Sequence, residues 1–397
     1  MLSGWFNIIT RQTYFPLDFL MTKPTLLDFF AGSGLVSKAM SRYFETVWAN
    51  DICSKKARIF QANFPEKNFL LEDIKQVKGT SLPEATVSWA SFPCVDLSLA
   101  GSRQGLHGER SGLFFEWLRI TKEMDKTPEL LVIENVEGLI TSNNGTYYRT
   151  LHNCLTEFGY KAGPLIIDAK HWVPQSRVRS FVIAVRKNLN TSNFERPHGL
   201  SPFHTASLLK ATEGLEHLVS WNLPTPDSSL QNFLNIVELD APVFPEEKNK
   251  EVLSLIPKAH FDKLMSSKDS VVVAPGYRRT RNGVQVLELR FDGLAGCLRV
   301  PRGGSSRQYV VIKKGNKLSS RLLTIKETAL LMGAPSSFKL PGSYNEAYGA
   351  MGDAVAFPVV DFLAKNLLSP LAKELSTDTS EILFNNIAIN YNNEARV

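Results

Sequence analysis

The sequence predicts an α/β fold: a doubly wound, mostly parallel sheet of Rossmann-like type with a smaller, loop-rich second unit. Three observations predict it. Apolar runs of strand length alternate with amphipathic helical stretches between residues 25 and 184. Glycine, acidic and other chemistry-bearing residues recur just after the strand-like runs, where ligands of parallel sheets gather. From residue 187 the alternation stops, and arginine accumulates from residue 278.

The elements follow in order. "TLLDFF" is a short apolar run ending at a glycine turn and reads as a buried strand, and "LVSKAMSRYF" has helical spacing. "TVWAN" is a strand, "SKKARIFQANF" a helix, and a third strand ends at "LLEDI". "ATVSWAS" is the fourth strand, "LFFEWLRITKEM" a helix, "ELLVIENV" the fifth strand and "YYRTLHNCLTEFGY" a helix. "AGPLIIDA" and "RSFVIAVR" are the last strand candidates of this region. Residues 1–21 form an extension without periodicity, with Met21 a candidate translation start, and 376–397 form a polar, Asn-rich tail.

Composition narrows the function classes. The chain has 397 residues, 43% of them hydrophobic and 21% charged, which fits a soluble globular protein with a large domain and a smaller one. Cys53, Cys94, Cys154 and Cys297 are scattered without a C-x-x-C pair, which argues against a disulfide framework and a thiolate metal site; no metal is expected, and a cytoplasmic location is. No uninterrupted apolar run is of membrane-spanning length and no signal-peptide pattern opens the chain, so no membrane association is expected. The formal charge of +6 points to a polyanionic partner.

The strand ends carry the chemistry. After the first strand, "DFFAGSG" places Gly32 and Gly34 in a turn that brings backbone N–H groups to a ligand at a helix start. Asp51 follows the second strand, roughly 20 residues on, where a carboxylate accepts from ribose hydroxyls. Asp73 follows the third and is placed to receive an adenine amino group. A turn glycine pair and capping carboxylates are the bland alternatives; together the three strand ends suggest a cofactor bearing a nucleoside. Cys94, in "SFPCVDLS", follows the fourth strand, and Glu134-Asn135 end the fifth. Neighbouring strand ends meet at one crevice, so a thiol and a carboxyl face one small substrate. A cysteine of reference pKa about 8.5 is partly thiolate at neutral pH, which suits covalent catalysis. Alone, Cys94 is more commonly a small buried hydrophobe and Asn135 a helix cap.

These residues resemble, in order, the motifs of the cytosine-C5 DNA methyltransferases of bacterial and phage restriction-modification systems. "DFFAGSG" is similar to that family's first cofactor loop, "PCVDLS" to its nucleophile motif, "ENV" to its glutamate motif and "QSRVR" to its paired arginines. "RLLTIKETALLMGAP" resembles the segment organising its target-reading domain, and "MGDAVAFPVV" its closing cofactor motif. The resemblance implies S-adenosyl-L-methionine as cofactor and double-stranded DNA as substrate. It implies that Cys94 bonds to C6 of a flipped cytosine, Glu134 serves N3, and Arg177 and Arg179 steady O2, the neighbouring phosphate and the loop. It also implies that Phe30, Gly32 and Gly34 line the methionine and ribose side, with Asp51 on the ribose and Ile52 on adenine. Asp73 and Ile74 complete the adenine pocket, Pro93 and Leu113 lie near the methyl group, and Asp353 and Val355 close the site. Three positions depart from the family pattern: Leu35 where glycine is frequent, Val95 where glutamine is usual, and Asp353 where asparagine is usual.

"SLAGSRQGLHGERSG", residues 98–112, has the composition of a catalytic loop, with Ser98 and Arg110 expected on phosphate. Residues 187–342 are expected to form the target recognition domain and hinge, a loop-rich unit with scattered short strands. Residues 343–375 are expected to return and complete the catalytic domain of residues 22–186. Arg278, Arg279, Arg281, Arg299, Arg302 and Arg307 are the candidate DNA contacts in a basic stretch that also holds Arg290, Lys313, Lys314, Lys317 and Arg321. A cognate endonuclease acting separately and a monomeric state are expected. Competing readings are a tRNA cytosine-5 methyltransferase, whose Cys-Phe-Thr signature is absent, and a non-catalytic DNA-binding relative, disfavoured by Cys94, Glu134 and Arg177 together.

Overall fold

A computed structural model describes residues 23–93, 112–227, 231–300 and 307–375. Cys94, Ser98, Arg110 and Arg302, and nearly all of the expected catalytic loop, lie outside the described residues.

The first half runs β1 (Thr25–Phe29), α1 (Leu35–Met40), β2 (Glu45–Asp51), α2 (Ser54–Asn63), β3 (Phe69–Leu71), β4 (Val87–Ala90), α3 (Leu113–Glu123) and β5 (Leu130–Val136). It continues through α4 (Gly138–Thr141), α5 (Thr146–Glu157), β6 (Tyr160–Asp168) and β7 (Val178–Arg186). The seven strands form one sheet in the order β3-β2-β1-β4-β5-β7-β6. The first five are parallel, whereas β7 runs antiparallel to both β5 and β6. The connection 169–177 is too short for a helical crossover, so β6 and β7 can pair only as a hairpin.

Alternation along the central strands fills both faces. Leu26, Trp89 and Val132 enter one core, while Leu27, Ala90 and Ile133 enter the other. That two-sided burial is why these strands read as continuous apolar runs. Strand order reverses between β1 and β4, which opens a crevice at their carboxyl ends.

The second half contributes α6 (Ala206–Thr212), α7 (Glu246–Ser254), α8 (Lys258–Ser266), β8 (Val271–Arg281), β9 (Val284–Leu289), β10 (Gln308–Lys314) and β11 (Lys317–Leu322). It ends with α9 (Ile325–Leu331), α10 (Tyr344–Asp353) and α11 (Phe357–Leu363). Here the structure corrects the expectation of scattered short strands. β11, β10, β8 and β9 form a continuous four-stranded antiparallel sheet, and β8 alone spans 11 residues. Val252, Leu264, Ala274, Leu287 and Val311 give it a core of its own. Pro275 and Gly276 inside β8 imitate loop signals; β9 pairs with β8 only from Gly276 onward, so Pro275 deprives that partner of no donor. Asn282 and Gly283, at φ 49° and 80°, form the two-residue turn between β8 and β9.

The segment after residue 187, expected in the recognition unit, packs first on the large sheet. Leu218 bridges to Ala162, and the Trp221 indole donates to the carbonyls of Gly163 and Ile183, each at 3.2 Å. A Cβ on Gly163 would lie 2.2 Å from the Val219 carbonyl oxygen, so only glycine admits this strap. The stretch Tyr344–Leu375 has the length and hydropathy of a membrane span. Its Leu363, Leu367, Leu368 and Leu371 are fully buried in the protein's own core.

Candidate active site

The loop after β1 is held by the end of β2. Phe30 and Gly32 both have φ 57°, and Gly34 has φ 85°. The Gly32 N–H donates to Asp51 Oδ2 at 3.0 Å and the Cys53 N–H to Asp51 Oδ1 at 2.8 Å. Each carboxylate oxygen thus keeps acceptor capacity for a ligand while fixing the loop. Gly34 has a packing role, since a Cβ there would stand 2.7 Å from Phe60 and 2.8 Å from Phe64.

This loop forms one wall of a cleft of about 630 Å³. Phe30, Gly32, Asp51, Ile52, Asp73, Ile74, Pro93, Leu113, Asp353 and Val355 all line it, together with Glu134, Arg177 and Arg179; Gly34 does not. Ile52 is 69% exposed, an unusual position for a large aliphatic side chain, and it presents an apolar side chain at the cleft edge. Asp73 caps a short 3₁₀ turn, accepting from the Lys75 N–H at 3.0 Å. On the opposite wall, where α10 ends, Asp353 pairs with Lys56 at 2.6 Å.

At the inner end of the cleft Glu134 is 7% exposed, with Arg179 Nε 3.3 Å from its Oε1. Burial pushes its pKa above the ordinary carboxyl range, and Arg179, Arg177 and Ser91 offset only part of that push. Asn135 fastens the segment that leads into Cys94. Its Nδ2 donates to the Phe92 carbonyl at 2.9 Å, its Oδ1 accepts from the Val136 N–H, and Ser180 Oγ donates to the carbonyls of Asn135 and Val136. In the sequence Asn135 has the look of a helix cap; its adjacency to Glu134 is the signal available for this role.

The two arginines of "QSRVR" separate. Arg177 is 2% exposed; Nη1 donates to the Leu298 carbonyl and Nη2 to those of Gly352 and Ala354. Burial, then the like charge of Arg179, lowers its pKa to about 10. Its hydrogen bonds tie three chain segments together, and Gln175 adds to the tie by accepting from the Leu298 N–H and donating to the Leu331 carbonyl. Arg179 is the one that lines two cavities.

The second cavity, about 710 Å³, lies between the end of β5 and the small sheet. Arg179, Tyr277, Arg279, Glu288, Cys297 and Arg299 are among its walls. Cys297 Sγ lies 3.2 Å from Arg177 Nη1 and 3.7 Å from Arg179 Nη2. Burial alone would raise its thiol pKa, but the arginines outweigh it and the net shift is downward.

The remaining candidate DNA contacts lie elsewhere. Arg281 is paired with Glu288 at 2.5 Å, Arg278 stacks over Tyr309 and reaches Glu251, and Arg307 stacks over Tyr344. Two cations of the basic stretch are corrected outright. Arg321 is 3% exposed and paired with the fully buried Glu327, and Lys313 donates to the carbonyls of Met265 and Ser267. Neither faces a polyanion.

The sequence matches the C-5 cytosine-specific DNA methylase family over residues 25–369. This chain belongs to that family. The methylase is 27% identical over 356 residues to the type II methyltransferase M.HhaI of Haemophilus parahaemolyticus, covering 89% of this chain and 97% of that protein. It is 26% identical to M.Bsp6I of Bacillus sp. strain RFL6, covering 86% and 98% respectively. Among solved structures, a Spodoptera frugiperda DNMT2 mutant superposes with a TM-score of 0.57 at 19% identity, over 86% of this chain and 99% of that one. A putative DNA modification methyltransferase from an Escherichia coli prophage gives 0.51 at 18%, over 87% and 99%. At those identities the structures speak for the fold, the doubly wound α/β sheet expected from the sequence. The methylase is thus a DNA (cytosine-5) methyltransferase, in which the cleft beside the glycine loop and the cavity beneath the small sheet both reach Arg179.

Proposed function

We propose that this methylase transfers a methyl group from S-adenosyl-L-methionine to C5 of a cytosine rotated out of duplex DNA, through a covalent bond between Cys94 and C6. The observation that carries the reading is Glu134, a buried carboxyl of raised pKa standing beside Arg179 where the two cavities meet. The cleft fits the cofactor: an exposed Ile52 to pack on adenine, an anchored Asp51 for ribose hydroxyls, and a loop opened by positive φ at Phe30 and Gly32. When bound, that cofactor supplies an electrophilic methyl group on a sulfonium.

The residues divide the work. The Cys94 thiolate adds to C6, and the electron density displaced toward N3 is met by the proton of Glu134, which burial keeps in place. C5 becomes nucleophilic and would take the methyl group, the electron pair of the broken sulfur–methyl bond staying on the cofactor's sulfur. A water molecule removes the C5 proton, Cys94 leaves as a thiolate while the 5,6 double bond re-forms, and N3 gives its proton back to Glu134. Arg179, facing both cavities, holds O2, while Arg177 keeps the walls in register. The ring atoms are inaccessible in a stacked duplex, so the base leaves the helix at a cost of a few kcal/mol. Duplex DNA lies across the mouth of the second cavity, with Arg279 and Arg299 as its nearest candidate contacts. The type II names of the relatives support a protective role in a restriction-modification system; a separate endonuclease, a monomeric enzyme and a cytoplasmic setting complete the reading.

The test is expression of wild type and Cys94→Ser in a methylation-free host, followed by genome-wide mapping of 5-methylcytosine. Wild type should mark one short sequence; the variant should leave the genome blank while still binding S-adenosylhomocysteine. An unmarked genome with soluble wild-type protein would sink the reading.

A further inference from the structure

Lys56 belongs to no motif of the sequence, yet it occupies the cofactor cleft. Its ammonium is 2.6 Å from Asp353 Oδ2, and its Cδ would lie 3.8 Å from a Cβ placed on Gly32. The pair therefore spans the cleft from the glycine loop to the end of α10. Lys56 is half-buried and Asp353 more exposed, and both line the cleft.

A sulfonium cofactor has three arms, and the cleft has three ends to receive them. Asp51, Ile52 and Asp73 suit the nucleoside, and Glu134, Arg179 and Pro93 mark the methyl-transfer end. The third arm, a zwitterionic amino acid, is left with the wall between Gly32 and Asp353. The charges agree. Of the cations lining the cleft, Arg177 donates to main-chain carbonyls, Arg179 pairs with Glu134, and Lys75 flanks the nucleoside edge at Asp73. Among the acids, Asp51 accepts from two main-chain N–H groups, Asp73 caps its own turn, Glu72 accepts from the Asp73 N–H at the nucleoside edge, and Glu134 is the partner of Arg179. Among the described residues that line the cleft, Lys56 and Asp353 are the opposite charges that remain.

Resting on the cofactor reading above, we propose that Lys56 and Asp353 together recognise the amino-acid end of S-adenosylmethionine, Lys56 taking its α-carboxylate and Asp353 its α-ammonium. Inserted between them, the zwitterion gives four charges of alternating sign, so neither partner loses a counter-charge when the pair opens. Asp353 stands where the family usually has asparagine; the acid makes sense here because it faces a lysine.

A purely structural account is available, because α2 and α10 are also tied by Lys55 and Arg58 to Glu346. Calorimetric binding of two probes separates the two. S-Adenosylhomocysteine carries the zwitterion; 5′-methylthioadenosine lacks it. Wild type should prefer the first, and Lys56→Met should reduce that preference about tenfold or more, the size expected for losing a charge-assisted hydrogen bond. Its affinity for methylthioadenosine should stay within about twofold of wild type. Asp353→Asn should reduce the preference less, since an amide still accepts, and Arg58→Gln should leave it unchanged. Equal losses for both probes, or an unchanged preference in Lys56→Met, would overturn the proposal while leaving the cofactor reading intact. Wild type binding neither probe would overturn both.

Discussion

Two buried arginine–glutamate pairs, one at the end of the large sheet and one beneath the small sheet, look alike in composition and behave oppositely. Glu327 accepts from Arg321 through both oxygens, at 2.6 and 2.7 Å, and also from the N–H groups of Glu238 and Thr324. Four donors meet the four acceptor sites of a carboxylate, so the charge is fully compensated. Glu134 has Arg179 at 3.3 Å and Ser91 for company, and its pKa rises. A buried carboxylate saturated with donors is a structural fixture. One left short of donors is held closer to its neutral form, which an acid catalyst needs.

The comparison breaks if Glu134→Gln retains activity. The expected loss in turnover is on the order of 10²–10⁴-fold, typical for removal of a general acid. Wild-type transfer should also decline as pH rises through the raised pKa of Glu134, because the neutral acid is the donor. The stability sign agrees. The folded state holds this proton more tightly than the unfolded chain, so the stabilisation is complete below the ordinary carboxyl range and is lost as pH climbs through the raised value. Single-turnover methyl transfer across pH, with S-adenosylhomocysteine affinity as control, measures both; a wild-type profile without an alkaline decline would detach Glu134 from proton donation.

Arg321→Met tests the other member. Removing one partner of a buried pair costs about 3–5 kcal/mol, because Glu327 is left charged and buried. Denaturant unfolding should show that loss, while turnover of the folded fraction stays near wild type. A loss of turnover without a loss of stability would place Arg321 in the DNA interface after all.

How far the sequence reached follows from the same physics. Asp51, Asp73 and Glu134 were legible because a parallel sheet delivers its strand ends to one crevice, so position after a strand is already position near the ligand. The small sheet offers no such rule. Whether Arg279 or Arg321 faces outward depends on strand pairing, and the Pro275-Gly276 break hid the strand itself. The spacing Thr324-x-x-Glu327 does announce a capping box, which the structure forms, and with it a helix start that could have drawn Arg321 inward. Arg177 and Arg179 share one motif, and their division into tie and site is set by Leu298, Gly352 and Ala354, segments remote in the chain. Lys56 was invisible for the same reason, its partner Asp353 lying near the far end of the described chain.

The smallest effect concerns charges at the surface of the second cavity. Arg299 is exposed on its wall, whereas Arg281 is engaged with Glu288. If duplex DNA lies across this cavity's mouth, Arg299→Ala should weaken binding across sequences and reduce the slope of log K against log salt by about 1, the signature of one lost phosphate contact. Arg281→Ala should change that slope less, because the deletion also leaves Glu288 with one counter-charge fewer and DNA already met a nearly neutral pair. Neither should shift folding by more than about 0.5 kcal/mol, since both are exposed. Fluorescence anisotropy with a fixed duplex over a salt series reads the two slopes side by side. Equal slopes for both variants and wild type would move the DNA path off this wall, and with it the argument that Arg179 faces a substrate from both cavities.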